Sequence, residues 1–286
     1  DLGLDIALFG NRLEFTGDVY VRNTLNMLVK GSKIPAIYGA DAPKENSADL
    51  STKGYELSLS WRDSFELAGE RFGYSLRGTL SDYSTYVTRY DNNPEHLLGD
   101  YYVGQRIGDI WGFKVDGFFA TDEEAIDYNT NVCDQLSYIG TSRMRGGVMA
   151  GDLKYLDLDG DKVLGIGHNT PEDPGDREIL GNSLASLQYG LTFSFDWLGF
   201  DVSAFFQGTG NHYWYPAGMN YAFWGPYSYS YASFIPRDFY TTMCWSEDNP
   251  DAYFPRPRAY SSTGGQLRLV NDRYLQNIRY LRLKNL

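Results

Sequence analysis

The sequence holds few of the residues on which enzymes and metalloproteins most often depend. Among 286 residues there are three histidines, His96, His168 and His212, and two cysteines, Cys133 and Cys244. The histidines stand in unrelated loop-like stretches, and each reads as a surface residue rather than a base or a ligand. The cysteines lie far apart and match no metal-binding spacing. Two separate thiols fit that placement better than a disulfide, which an oxidising compartment would still allow. No nucleophile elbow, zinc-binding helix or phosphate-cradling glycine loop is present, and no spacing selects a carboxylate pair for glycoside hydrolysis. No catalytic residue is expected. Basic charge is also in deficit: 25 Lys and Arg against 37 Asp and Glu give a net charge of −12. A nucleic-acid partner is excluded on that balance, because phosphate binding needs clustered cations. An apolar run of the ~18 residues that a spanning helix needs is missing too. That leaves β-barrels open, since their strands alternate and give a weak signal per segment.

What the sequence has in excess is tyrosine, 24 residues, and glycine, 31 residues. This pairing favours strands and turns. Period-two alternation confirms it. Leu187, Tyr189, Leu191, Phe193, Phe195 and Trp197 alternate with Gln188, Gly190, Thr192, Ser194 and Asp196. Past Leu198 and Gly199 the pattern resumes with Phe200, Val202, Ala204 and Phe206, so the two runs predict a hairpin. Similar faces are formed by Leu4, Ile6 and Leu8, by Leu13, Phe15, Val19 and Val21, by Tyr55, Leu57, Leu59 and Trp61, and by Phe72, Tyr74, Leu76 and Leu80. A last, less regular strand is expected over about residues 273–286.

The connections alternate in length. Short ones fall at Gly10 and Asn11, at 62–70, and at Leu198 and Gly199; long ones fall at about 23–52, 88–186 and 208–272. In an up-and-down sheet this puts every short turn on one side, as in outer-membrane barrels with short periplasmic turns and long external loops. Trp61 and Trp197 stand at the short-turn ends, where an interfacial aromatic girdle would hold them. The expected fold is therefore all-β: an antiparallel transmembrane β-barrel with long extracellular loops, of which about seven strands are present. Residues 1–286 are read as part of one barrel domain. Bacterial barrels start at eight strands and closure removes their edges, so the sequence is expected to be a piece of a longer chain.

Ordered motifs strengthen this reading. Gly3-Leu4-Asp5 with Asn11-Arg12-Leu13, Lys53-Gly54-Tyr55-Glu56-Leu57, Gly108-Asp109-Ile110-Trp111-Gly112-Phe113, Asp116-Gly117-Phe118-Phe119, Gly151-Asp152-Leu153-Lys154-Tyr155 and Phe206-Gln207-Gly208 follow one another along the chain. So do Trp245, Asn249-Pro250, Pro255-Arg256 and the run from Tyr280 to Leu286. The set resembles the SusC/RagA-type family of TonB-dependent outer-membrane receptors. The resemblance implies residence in the cell outer membrane, in contact with its lipid, and a closed 22-stranded barrel with a plugged lumen. It further implies energy from TonB through missing N-terminal regions. A SusD-like surface lipoprotein would be the partner in taking up oligosaccharides or peptides.

Two stretches carry candidate binding residues. Asp157, Asp159 and Asp161 fall at positions 1, 3 and 5 of an EF-hand-like loop, a spacing that can wrap calcium in hard oxygen ligands. Lys162 stands where that motif has Gly and His168 where it has Glu, with Asp173, Asp176 or Glu178 as substitute ligands. A solvated acidic turn, its carboxylates bonded to backbone, fits equally well. Residues 212–258 are crowded with aromatics, among them Tyr213, Trp214, Tyr215, Trp224, Tyr229, Tyr231 and Phe234. Such rings stack on sugars or peptide side chains, and Trp214, Tyr215 and Trp224 are the candidate ligand contacts. Packing of the loop against itself accounts for most of the others. The alternatives to an importer are a soluble or surface all-β glycan-binding module and a secreted carbohydrate-active enzyme.

Overall fold

A computed structural model describes residues 1–31, 35, 37, 39–216, 221–227, 237–258 and 265–286. Four strands open the chain: β1 (Leu2–Leu8), β2 (Leu13–Lys30), β3 (Lys44–Leu67) and β4 (Glu70–Tyr90). The next connection contains β5 (Asp109–Phe113), β6 (Val115–Phe118), α1 (Asp122–Asn131), α2 (Gln135–Ile139), β7 (Leu153–Tyr155) and β8 (Arg177–Asn182). The hairpin β9 (Ser186–Trp197) and β10 (Phe200–Asn211) follows, then β11 (Tyr213–Trp214), α3 (Tyr221–Trp224), α4 (Arg237–Thr242), β12 (Gln276–Asn277) and β13 (Tyr280–Asn285). Seven of the strands form one antiparallel sheet in the order β1-β2-β3-β4-β9-β10-β13.

Register converts the sequence alternation into two faces. Leu57 pairs with Leu80, Trp61 with Leu76, Leu76 with Phe193 and Val202 with Phe195. Apolar side chains thereby share one face from edge to edge, and no part of the described protein covers it. Leu4 is 56% exposed, Leu59 51%, Leu76 44% and Phe200 70%. The opposite face carries Glu14 beside Ser60, Arg77 beside Thr192 and Asp196 beside Asp201. None of the described helices is long and apolar enough to cross a membrane; the sheet is the element with a lipid-type surface.

The short turns are tighter than the sequence pattern suggests. The strands flanking the expected 62–70 turn run on until only Ala68 and Gly69 are left between them, at φ of 54° and 81°. Leu198 and Gly199 repeat this geometry at 51° and 81°. Positive φ at both central residues matches the right-handed strand twist and keeps the hairpins in register. Beside these turns aromatic rings gather: Phe72 stacks on Phe195 at 5.6 Å, Phe9 meets Trp61 at 6.2 Å, and the Trp61 indole donates to the Tyr74 hydroxyl at 3.1 Å. Higher on the wall glycine makes room for a ring. Gly208 pairs with Tyr189, and a Cβ there would run into the tyrosine ring.

Three connections differ from expectation. That between β2 and β3 is only 31–43, because a bulged ladder lets the strands run to Lys30 and restart at Lys44. The last sheet strand is confined to Tyr280–Asn285, since Gln276 and Asn277 pair instead with Tyr213 and Trp214. The two longest connections are not simple loops. They contain nearly all of the buried core among the described residues, with Leu153, Tyr155, Leu164, Trp224, Tyr227, Leu267 and Tyr274 fully buried in one cluster. Helix α1 had a local signal: Thr121 caps it by accepting from Glu124 N at 3.1 Å, while Glu124 accepts from Ala120 N at 2.7 Å.

A buried polar network joins the two connections. Asp152 is wholly buried and accepts from Arg258 Nη1 at 2.6 Å, Gln266 Nε2 at 3.0 Å and Met149 N at 3.0 Å. Gln266 in turn accepts from Leu153 N at 2.7 Å. Cys133 and Cys244 are both buried and free, which settles the choice in favour of separate thiols. Burial pushes the Cys133 thiol up to about 12, so it stays protonated and inert.

Two outcomes are expected. Gly69 has open space where a Cβ would go, so Gly69→Val acts through its left-handed backbone alone. It should destabilise the hairpin by roughly 1–2 kcal/mol, read as a lower heat-modification temperature of the full-length protein. Arg258→Met should cost about 3–5 kcal/mol by stranding a buried carboxylate. The double variant with Asp152→Asn should recover much of that loss. Hydrogen exchange in residues 135–155 is the measurement.

Candidate functional site

The polar face forms a concave basin of about 720 Å³ near the short turns, lined by Arg62, Arg71, Ser75, Ser194, Asp196 and Asp201 among others. Strand alternation is sufficient to put these groups on one side. Cross-strand bonds hold them: Arg62 Nη2 to Glu14 at 2.6 Å, Ser75 to Ser194 at 2.7 Å, and Arg77 Nε to Ser58 at 3.2 Å. Mixed charge on a hydrated wall can bind polar groups reversibly. None of these residues is arranged as a nucleophile with its base.

In the acidic loop the structure brings together Asp157, Asp159 and Asp176, with one carboxylate oxygen of each within 4.8 Å of the others. This corrects the expected trio. Asp161 is not part of the cluster; its carboxylate turns onto its own loop and accepts from Val163 N at 2.7 Å. Asp176, one of three substitutes, is brought in by β8. Asp173 is held instead by His168, through both its ring Nδ1 and its backbone N–H, and Glu178 pairs with Lys114 at 3.3 Å. Lys162 has φ of 68°, the left-handed conformation for which the calcium loop ordinarily uses glycine.

The three carboxylates are hard oxygen donors suited to calcium. They also make backbone bonds without it. Asp157 accepts from Gly160 N at 2.7 Å and Lys162 N at 3.0 Å, Asp159 from Asp161 N at 3.1 Å, and Asp176 from Leu158 N and Gly165 N, both at 2.7 Å. Burial raises the Asp176 carboxyl above its ordinary range, and the N–H groups of Gly165 and Leu158 oppose the shift. The loop therefore has its own scaffold, to which a cation would add charge neutralisation.

The aromatic candidates separate by burial. Trp214 is 41% exposed and pairs with Gln276 in the β11–β12 ladder, so its ring is available to a ligand. Tyr215 is half-buried, and its hydroxyl donates to Leu269 O at 2.8 Å and accepts from Asn271 Nδ2 at 3.0 Å. Burial accordingly pushes that phenol well up. Trp224 is a correction: it is fully buried, donates its indole N–H to Pro216 O at 2.9 Å, and packs edge-on to Phe223 and Tyr274. A large ring with a satisfied N–H is core here. Tyr229, Tyr231 and Phe234 lie outside the described residues.

The wall, the turns and the loop body have counterparts in known proteins. The chain is 26% identical over 299 residues to TonB-dependent receptor P3 of Formosa agariphila, covering 100% of this chain and 26% of that protein. It is 26% identical over 222 residues to TonB-dependent receptor P39 of the same organism, covering 72% of this chain and 21% of the relative. Among solved structures, it matches a chain of the RagAB peptide transporter with a TM-score of 0.62 at 17% identity, covering 99% of this chain and 27% of that one. A RagAB peptide importer in its closed-closed state gives a TM-score of 0.62 at 18% identity, with the same coverage. No family model matches. The chain thus spans about a quarter of the length of the relatives it matches.

The acidic loop generates a direct test. If calcium binds, adding it should raise the melting temperature of the loop body in the full-length protein. Asp159→Asn should abolish that rise with little change in the calcium-free melting point. An identical melting curve with calcium and with chelator would leave the loop as a backbone-bonded turn. Calorimetry is the measurement.

Proposed function

We propose that this chain, a SusC/RagA-like segment of a TonB-dependent receptor, supplies part of the wall and external loops of an outer-membrane nutrient importer. One observation carries the reading: seven strands present a continuous uncovered apolar face on one side and a polar face on the other, with all short turns at one end and all long connections at the other. Such a sheet is stable only where lipid or more protein covers the apolar side, and its edges at β1 and β13 need further strands to satisfy their backbone groups. The substrate would pass along the polar face.

The work of opening the lumen would come through TonB, acting on parts of the receptor outside this sequence. A SusD-like lipoprotein would sit over the loop body and share the substrate. Peptides are one candidate cargo, as in the RagAB transporter, and oligosaccharides are the other. Trp214 is the residue we assign to substrate or partner contact, while the Tyr215 hydroxyl is held by Leu269 and Asn271. Calcium, held by Asp157, Asp159 and Asp176, would stiffen the loop. The chain carries out no covalent chemistry in this scheme. A soluble glycan-binding module is disfavoured by the same uncovered face, which would aggregate in water.

Fractionation of the source cells tests the proposal. An antibody to residues 213–258 should detect a band several-fold larger than 32.4 kDa in the outer-membrane fraction. Its mobility should change on boiling, as closed barrels unfold. A soluble band near the mass of this chain, indifferent to heating, would overturn the importer. Labelled peptide and oligosaccharide uptake in Trp214→Ala cells should then identify the cargo by which signal falls, by roughly 10-fold for an anchoring aromatic.

A further inference from the structure

A second concavity lies where β4 meets the connection that follows it, apart from the polar basin, the acidic loop and the aromatic core. Its volume is about 610 Å³, and Tyr86, Tyr102, Arg106, Asp109, Trp111 and Glu172 line it. That size falls within the range of small-ligand clefts, about 300–1,000 Å³.

Register fixes which way it faces. The β3–β4 ladder runs without a bulge from Trp61 paired with Leu76 to Ser51 paired with Tyr86. Tyr86 therefore shares the side of Leu76 and Leu80, the apolar outward side. Arg106 bridges to Tyr86 and takes the same side. Strand β4 is the middle member of the seven-stranded order, so strands added at either edge would not cross the cleft. Tyr86 lies six residues beyond Leu80, roughly 20 Å along the strand and about 15 Å in height at the usual barrel tilt. The cleft thus stands beyond Leu80, with Asp82 and Ser84 between them on the same face of β4.

We propose that this cleft binds a saccharide ring presented from outside the barrel. Tyr86, 37% exposed, and the half-buried Trp111 are the rings available to the C–H side of a pyranose, and the buried Tyr102, at 5%, forms the floor. Arg106 donates, and Asp109 and Glu172 accept, which is the mixture that a neutral polyol needs. A phosphate is disfavoured by two carboxylates against one guanidinium. An alkyl chain is disfavoured by the charged lining, and a cationic ligand by Arg106. Asp109 is already bonded by Asn182 Nδ2 at 2.9 Å, which fixes its orientation. Exposed Val103 and Ile179 form an apolar rim, at 43% and 48%. The sugar could be the head group of an outer-leaflet glycolipid or a free oligosaccharide.

The outward assignment rests on the barrel reading, but binding of the sugar does not require the membrane. The test uses the full-length receptor in two arms. One is calorimetry with the core oligosaccharide released from lipooligosaccharide; the other is mass spectrometry of intact lipooligosaccharide retained by the receptor in nanodiscs. Binding in the first arm, weakened at least 10-fold by Tyr86→Ala, supports the cleft with a free sugar sufficing. Binding in the second arm alone, lost in the same variant, supports it with the glycolipid as source. Trp111→Phe keeps a ring in place and should weaken binding only about 3-fold. Retention of binding by Tyr86→Ala, no binding in either arm, or preference for inorganic phosphate or choline would each overturn the proposal. Loss of the heat-dependent gel shift would count against the barrel alone.

Discussion

The constraint on which this structure depends is lateral pairing of backbone groups across a sheet whose outward side chains are apolar. In lipid a strand has no water to satisfy its N–H and C=O groups, so each strand must find both neighbours. The seven-stranded ladder meets that demand from β2 to β10, and alternation then follows without further instruction. One residue in two lies on the apolar face; the next lies on the opposite face and can be charged. Hence Glu14, Arg62 and Arg77 sit on strands whose adjoining residues are Leu13, Trp61 and Leu76. The two-residue turns serve the same end. A shift of one residue would exchange the faces, and the positive φ at Ala68 and Gly69 holds the register.

The loop body obeys different physics. It has a conventional buried core, in which rings are satisfied by neighbours and by backbone acceptors. Trp224, Tyr227 and Tyr274 are as inaccessible as any residue in a soluble domain. The protein therefore combines a wall with its apolar side uncovered and a cap with its apolar side buried. Asp152 and Gln266 fasten one part of that cap to the other. Burial pushes the Asp152 carboxyl up to about 6, while Arg258, Met149 N–H and Gln266 pull it back. Three donors on one carboxylate define a single arrangement of the two connections, whatever their net contribution to stability.

How much of this was legible in the sequence depends on the range of the interactions. Strand faces were legible because a residue and its second neighbour share a side; Leu187 to Trp197 needed no partner to declare itself. The turn at Leu198 and Gly199 was local too. The family resemblance lay in ordered short motifs, each belonging to one strand or one loop. The interior of the loop body was not legible. Leu153 meets Gln266 across 113 residues, and Asp152 meets Arg258 across 106. No local pattern announces such pairs. The same reason explains the metal trio. Spacing selected Asp161, which is two residues from Asp159, whereas the chain folds back to deliver Asp176. It also explains Trp224: composition marks a residue as aromatic, but only packing decides whether the ring faces a ligand or a core.

The nesting of the hairpin β9–β10 between the two halves of the loop body has a kinetic meaning. The hydrogen bond from Leu153 to Gln266 encloses that entire hairpin. Contacts of such long sequence separation are slow to form, because a large loop must close before they reward it. The hairpins, whose partners are a few residues apart near their turns, can pair early. Assembly is therefore ordered by range: the hairpins pair first, and the β4–β9 seam, whose Ser75–Ser194 contact spans 119 residues, and the cap, whose Leu153–Gln266 bond spans 113, must both wait for the chain to close over a long loop.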